Sequence, residues 1–470
     1  MTFRGACRIA LFSLGLAAGA APVDNTLALG RKALLNDGVA TAWKLAQQAL
    51  LQAPDSVAAH EFNGEVLFRR GEFAHAETEF RAALRRDEKF ALAWWGLARI
   101  AECSSLHKTA DGYFRRAHEL DPKDPRVFGD WAARLKGQLR IDALEQYASM
   151  VDPSRTLDEL AELRQQIQLA QSVGERRVMT MTSPYQKTEI PLAAFVGETT
   201  HMRTYGLETD LNSTKLRLVL DTGASGILIS RQAAEKARVS ALSAATFRGF
   251  GDSAKISTGY RGIAQRLRIG PIEFHDALVG VSGQDFVGAE DGLIGTDVFA
   301  DFLVTLDFAA QKMRLDPLPD YQPGDDQPHD RSIAAGMQSF TRVFRFGHLL
   351  LLPGRVNGSR EGLFAIDSGS AKTLISSGFA AELGNVTRDS RAGITGLSGR
   401  VADVYKTGDL LLEFAGFRQK NLGITAFDMW DISRRFGTEI SGFLGLPLLD
   451  LFTLSIDYRD GLVNFDRRER

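Results

Sequence analysis

The stretch LVLDTGASGILIS at residues 218–230 is written a second time, 146 residues later, as FAIDSGSAKTLIS at 364–376. Each copy ends an apolar run on Asp-(Thr/Ser)-Gly and closes on Leu-Ile-Ser at the same offset. A single Asp-Gly pair is most often a structural β-turn. Two copies on matching strand-like runs instead imply a duplicated unit, which restricts this part of the chain to two related lobes.

The match extends to both sides. LNSTKLRLVLDTG lies over VNGSREGLFAIDSG, in each case a tight turn followed by a strand that delivers the aspartate. GLIGTDVFADFLVTLDFAAQKMRLD lies over GFLGLPLLDLFTLSIDYRDGLVNFD without a gap, so Asp307 aligns with Asp457 and Asp316 with Asp466. Two apolar residues and a glycine recur at nearly equal distance: Gly295 stands 74 residues after Asp221, and Gly445 stands 78 after Asp367. The seam, PLPDYQPGDDQPHD, has linker composition.

The front third has a different period. Ala42, Ala76 and Ala110 are in register at 34 residues, as are Ala46, Phe80 and Phe114, and Ala49, Ala83 and Ala117. Gly30, Gly64 and Ala98 mark a small position on the first helix of each unit, where helices approach closely and a Phe fills the gap between units. Pro54 and Pro122 stop two of the second helices, with Glu88 at the middle one. A worn further unit follows from Pro125 to Pro153, in which Ala143 and Tyr147 fit after a one-residue shift. TLDELAELRQQIQLAQSVGERR then reads as a long capping helix.

The N-terminus, MTFRGACRIALFSLGLAAGAAPVDN, has two arginines, a short apolar run and then small residues, the build of a cleavable secretory signal, with an uncleaved amphipathic or anchoring helix as the alternative. Cys7 and Cys103 are the two cysteines, so a mature chain would hold one thiol and no internal disulfide. Neither they nor the eight scattered histidines have ligand spacing, and no metal site or cofactor motif is read. A formal charge of −2 gives no reason to expect a nucleic-acid partner.

The 34-residue units resemble the tetratricopeptide repeat, over about residues 24–155. That resemblance implies either a face for peptides or a protein partner, or a rigid flank. The duplicated set of two Asp-(Thr/Ser)-Gly loops and two apolar-apolar-Gly strands resembles the aspartic peptidases of the pepsin and retropepsin type. Together they imply a multidomain fold: an all-α tetratricopeptide-type helical repeat followed by an all-β two-lobed aspartic-peptidase fold. The expected boundaries are a signal at 1–21, repeats with a capping helix at 24–178, lobe one at 180–318, a linker at 319–334 and lobe two at 335–470.

The peptidase resemblance implies that Asp221 and Asp367, one from each lobe, share a proton and activate a water against a peptide bond. Thr222, Gly223, Ser368, Gly369 and Ser370 would support the two loops, and Gly295 and Gly445 would lie on the bracing strands. Substrate would bind extended beneath two hairpin flaps, read at FRGFGDSAKISTGY and AGITGLSGRVADVYKTGDLLLEFAG, with Phe250, Gly251, Leu397 and Ser398 as flap residues. Tyr260 stands as an alternative to Phe250. The second stretch is similar to a retropepsin flap, which implies a tandem retropepsin competent as a monomer. The rival reading is a non-catalytic exported scaffold with an inactive peptidase fold. One asymmetry carries an expectation of its own. Lobe one has Ala224 where lobe two has Ser370, whose hydroxyl in pepsin-type enzymes bonds the carboxylate. Loss of that donor predicts a higher lower pKa and a mildly acidic optimum.

Overall fold

The computed structural model describes residues 21–36, 38–151, 157–196, 203–249, 257–283, 290–319, 330–331, 333–384, 386–389, 393–396 and 399–468. The signal-like segment falls outside these residues, except for Ala21. Within them no helix is long and apolar enough to cross a membrane.

The described residues from Ala21 to Val173 are all-helical, with α1 (Ala21–Leu35), α2 (Val39–Gln52), α3 (Val57–Arg69), α4 (Phe73–Arg86), α5 (Ala91–Cys103), α6 (His107–Leu120), α7 (Pro125–Arg134), α8 (Gly137–Met150) and α9 (Leu157–Val173). The starts of α2, α4 and α6 are spaced by 34 residues, and so are those of α3, α5 and α7. The alanines at 42, 76 and 110 are fully buried, as the period requires. Phe80 fills the gap between two units. A Cβ at Gly96 would lie 2.4 Å from its ring and one at Gly64 2.7 Å away, so only a hydrogen leaves the ring its place.

The second helices end for a reason the prolines alone do not give. Ala53, Asp87 and Asp121 share one extended backbone conformation after the last helical turn, although Glu88 stands where the outer units have proline. Asp87 Oδ1 accepts the N–H of Lys89 at 2.9 Å, and Asp121 Oδ1 accepts that of Lys123 at 3.1 Å. This Asx turn stops the middle unit without proline. The fourth unit departs from the period because α7 is short and α8 starts early.

From Thr180 onward the chain is β-rich and two-lobed. In lobe one, strand Thr214–Asp221 runs antiparallel to Arg203–Leu211 and parallel to Gly292–Gly295. In lobe two, Gly362–Asp367 runs antiparallel to Leu349–Val356 and parallel to Gly442–Gly445. The two lobes therefore repeat one topology, as the duplicated sequence implies. They are joined by a third sheet, of six strands among the described residues, in which Phe302–Asp307 pairs antiparallel with Phe452–Asp457. Alternation places Val304, Leu306, Leu454 and Ile456 in its core, all fully buried. The aligned aspartates do matching work: Asp307 Oδ1 accepts the N–H of Ala310 at 2.9 Å, and Asp457 Oδ1 that of Asp460 at 3.1 Å.

The helical array is docked on lobe two. Leu67, Phe68, Phe73, Leu97 and Ile100 share one buried cluster with Leu349, Leu351, Leu363 and Phe443. The rings of Phe73 and Phe344 meet edge-on at 4.4 Å. Polar contacts fix the register: Thr438 donates its hydroxyl to Phe68 O at 2.9 Å, and Glu439 N–H donates to Arg69 O at 2.8 Å. Each phenyl group buried here is worth about 1.5–3 kcal/mol, so several together make a stable interface. Asp330, from the seam between lobes, accepts the Thr109 N–H of α6 at 3.0 Å. At the other end α9 packs on strand Ser240–Phe247 of lobe one. The array thus touches both lobes.

Candidate active site

Asp221 and Asp367 each stand at the last position of a central strand, directly opposite the bracing glycines: Asp221 pairs with Gly295 and Asp367 with Gly445 in the two parallel ladders. Both chains then turn, and the two turns meet. Thr222 N–H donates to Ser368 Oγ at 3.1 Å, and Ser368 N–H donates to Thr222 Oγ1 at 2.8 Å. The hydroxyls donate in turn across the lobes, Thr222 to Ile366 O at 2.8 Å and Ser368 to Leu220 O at 2.9 Å. Both side chains are buried, so these four bonds are shielded from competing water.

This clasp sets the two carboxyl groups close to one another, on either side of the two glycine turns. The approach depends on glycine. A Cβ at Gly369 would lie 2.5 Å from Asp221 Cγ, and one at Gly223 would lie 3.0 Å from Asp367 Cγ. Backbone donors hold one oxygen of each: Gly223 N–H reaches Asp221 Oδ1 at 2.7 Å, and Ser370 N–H reaches Asp367 Oδ1 at 2.9 Å.

Burial pushes both carboxyls above the usual carboxylate range, and Asp367 goes well above it because the Asp221 charge adds to the burial. Backbone N–H groups, the partner carboxyl and the nearby His348 restrain the rise at Asp221. Two neighbouring carboxyls raised in this way can hold one proton between them. One member can accept a proton while the other donates one, and the titration belongs to the pair.

Ser370 differs from the expectation. Its backbone supports Asp367, but its hydroxyl donates to Lys372 O at 2.8 Å rather than to the carboxylate. The carboxylate oxygen already has the Ser370 N–H, and the turn carries the hydroxyl away from it. The contrast with Ala224 thus removes no carboxylate donor from lobe one.

The flap stretches lie partly outside the described residues, and Phe250, Gly251, Leu397 and Ser398 all fall there. Around them are paired arms: Ser240–Phe247 with Ser257–Ile269 in lobe one, and Thr395–Gly396 with Gly399–Arg400 in lobe two. Tyr260 is on an arm, opposite Ala244, and packs against the lobe-one core. Two other parts of the chain hold the first hairpin near the end of its paired arms. Gln165 of α9 accepts from Thr246 N–H at 3.0 Å, and Arg435 of lobe two donates to Gly249 O at 3.1 Å.

Three further groups support the site and were not singled out from sequence. Asp297 accepts from the Ser225 hydroxyl at 3.0 Å and from Gly226 N–H at 2.9 Å, which secures the far side of the lobe-one loop. Its place two residues beyond Gly295, where lobe two has Pro447, was a readable asymmetry. Tyr458 exchanges a 2.6 Å hydroxyl bond with Thr296. His348 of lobe two reaches Gly223 O across 125 residues of chain, with no spacing signal to announce it.

Residues 207–301 match the family model described as gag-polyprotein putative aspartyl protease, and residues 352–448 match the model described as aspartyl protease. Each segment contains one Asp-(Thr/Ser)-Gly loop and its bracing glycine. Among solved structures, the aspartic proteinase from Irpex lacteus is similar over 60% of this chain and 97% of its own, at 13% identity and a TM-score of 0.37. An O-GlcNAc transferase mutant from Thermobaculum terrenum is similar over 29% of this chain and 27% of its own, at 20% identity and a TM-score of 0.26. No curated protein matches the chain.

Proposed function

We propose that this chain, which carries two aspartyl protease-type domains in tandem, is an aspartic endopeptidase whose Asp221 and Asp367 hydrolyse peptide bonds with an activated water. The observation that carries the reading is the meeting of two carboxyls, one from each lobe, across clasped loops so tight that a Cβ at Gly369 would lie 2.5 Å from Asp221 Cγ and one at Gly223 3.0 Å from Asp367 Cγ. In that arrangement the ionised member takes a proton from water as it attacks the peptide carbonyl, and the protonated member gives its proton to the carbonyl oxygen. No covalent bond to the enzyme is needed. A peptide would lie extended between the dyad and the two hairpins, with alternate side chains in pockets.

Both aspartates come from one chain, which supports activity as a monomer. The arginines, apolar run and small residues of the first 21 positions support export to the periplasm or beyond. The helical array serves as a support for both lobes and offers its remaining surface to substrate or a protein partner. The decisive experiment is cleavage of a mixed peptide library across pH, with Asp221→Asn and Asp367→Asn as controls. Cleavage by the parent, lost in both variants and blocked by a statine peptide, is the expected result. Cleavage that survives both substitutions, or none by the parent at any pH, overturns the reading. N-terminal sequencing of exported material should find a start near Ala21.

A further inference from the structure

His348 sits in the turn of the hairpin that opens lobe two, between strands Phe344–Phe346 and Leu349–Val356. Its Nε2 is 3.2 Å from Gly223 O, and since a carbonyl only accepts, Nε2 carries the proton. Gly223 is the residue whose N–H holds Asp221 Oδ1. A side chain of lobe two thus grips the carbonyl of the same residue whose amide orients the lobe-one aspartate. Lobe two's own loop has no such clasp from lobe one among the described residues. The ring is half-buried, and Nδ1 has no hydrogen-bond partner among the described residues.

We propose that His348 is a positioning residue of the lobe-one loop, and that its imidazolium charge keeps the Asp221–Asp367 pair singly ionised at the acidic end of the working range. The inference rests on the reading of that pair as the peptidase dyad. Four groups face the ring. Asp297 comes from the turn Thr296–Phe299, Asp221 from the central strand and Arg345 from its own hairpin; Phe436 of helix Trp430–Phe436 meets it edge-on at 6.0 Å between ring centroids. Burial lowers the His348 pKa from its usual value, while Asp297, the Gly223 carbonyl and Asp221 oppose that fall and Arg345 adds to it. The net direction is down, so the ring charges in the acidic range rather than near neutrality.

The consequence is an asymmetric effect on the dyad. A cation beside the pair makes each of its ionisations easier. At low pH the charged ring helps the fully protonated pair lose its first proton, which extends activity downward. At higher pH the ring is neutral and does not help remove the second proton, so the alkaline limit stays where the carboxyls alone set it. One histidine thereby widens the window in which a single proton is shared.

The test compares His348→Gln, which keeps an N–H donor but no charge, with His348→Phe, which loses both. The readouts are pH profiles of kcat/KM on a cleaved peptide and carbon-13 NMR titration of aspartate-labelled protein. The acid limb should move up by about half a pH unit or more in both variants, with the alkaline limb unmoved in His348→Gln. His348→Phe should also lose about tenfold in kcat at the optimum with little change in KM, because the loop is no longer held. An acid limb that stays in place in both variants removes the charge effect, and a parental kcat in His348→Phe removes the positioning role. NMR separates the two readings without turnover. A dyad titration that shifts in His348→Gln while the parent cleaves nothing would retain the coupling and reject the peptidase, whereas an unshifted titration rejects the coupling itself.

Discussion

The hydroxyl of Thr222 accepts the backbone N–H of Ser368 at 2.8 Å, while the hydroxyl of Ser368 accepts that of Thr222 at 3.1 Å. Each hydroxyl also donates to a carbonyl of the opposite lobe. Removing one hydroxyl therefore strands a buried N–H and a buried C=O at once. Thr222→Val should cost about 2–4 kcal/mol, seen as a lower denaturation midpoint, together with most of the peptidase activity. Thr222→Ser retains the hydroxyl and should stay close to the parent. Equal stability of the Val and Ser variants would contradict the clasp.

Gly369→Ala tests the approach of the carboxyls. The added methyl would lie 2.5 Å from Asp221 Cγ, so the carboxyl must move by about 1 Å or the loop must open. A displacement of that size can cost about a hundredfold in rate. The expected result is a folded protein with kcat/KM reduced at least that far, and unaltered kinetics would contradict the geometry.

The raised pKa values of the pair also make a statement about stability. The folded protein binds protons at Asp221 and Asp367 that the unfolded chain has released. The stabilisation from this uptake is complete below the ordinary carboxylate range and is lost as pH rises toward the elevated folded values. At neutral pH the native state therefore carries a penalty at this site. Asp367→Asn replaces the more strongly raised member by a neutral group of similar shape. It should raise the melting temperature at pH 7, and the gain should shrink as pH falls from the elevated folded value toward the ordinary carboxylate range and be lost below about 4. A gain that is constant with pH, or a loss at neutral pH, would contradict the assignment.

How far the sequence discloses this arrangement depends on the range over which each signal acts. The 34-residue spacing marks out the helices because each alanine and Phe80 packs within a unit or against the next one. The two Asp-Gly loops are legible because a duplication writes its partner in the same letters. The docking of the array is not, since Phe68, Phe73 and Leu363 look like any core residues until the lobe they meet is folded. His348 is hidden for the same reason: nothing local ties it to Gly223. The orientation of the Ser370 hydroxyl is subtler still, because the letters place the group and only the turn decides which oxygen it reaches.

That last point changes what Ala224→Ser should do. The Ser370 hydroxyl spends its proton on Lys372 O, and its N–H serves the carboxylate. A serine at 224 would follow a turn of the same type, since Ala224 N–H and Ser370 N–H each approach the carbonyl of their own aspartate at 3.3 Å. The acid limb of the pH–rate profile should then stay within about 0.2 units of the parent, too small a change to signal a new charge-stabilising bond. A downward shift of half a unit or more would mean that the new hydroxyl does reach Asp221.

The first hairpin ties the helical array to the edge of lobe one. Strand Ser240–Phe247 is the outer strand of its sheet, and Gln165 of α9 covers that edge by accepting from both the N–H and the hydroxyl of Thr246. Glu162, one turn earlier on the same helix, stands 3.5 Å from Arg248. These contacts lie on the arm of the hairpin, away from the clasped loops, so their loss should loosen substrate closure without moving the carboxyls. Gln165→Met keeps the length of the side chain and removes the acceptor. It should raise KM several-fold, leave kcat within about twofold and speed amide exchange along the arm, while global stability falls by no more than about 1 kcal/mol. Gln165→Glu retains an acceptor and should restore most of the affinity. If Gln165→Met lowers kcat and leaves KM unchanged, α9 acts on the dyad by another route and the hairpin is not its target.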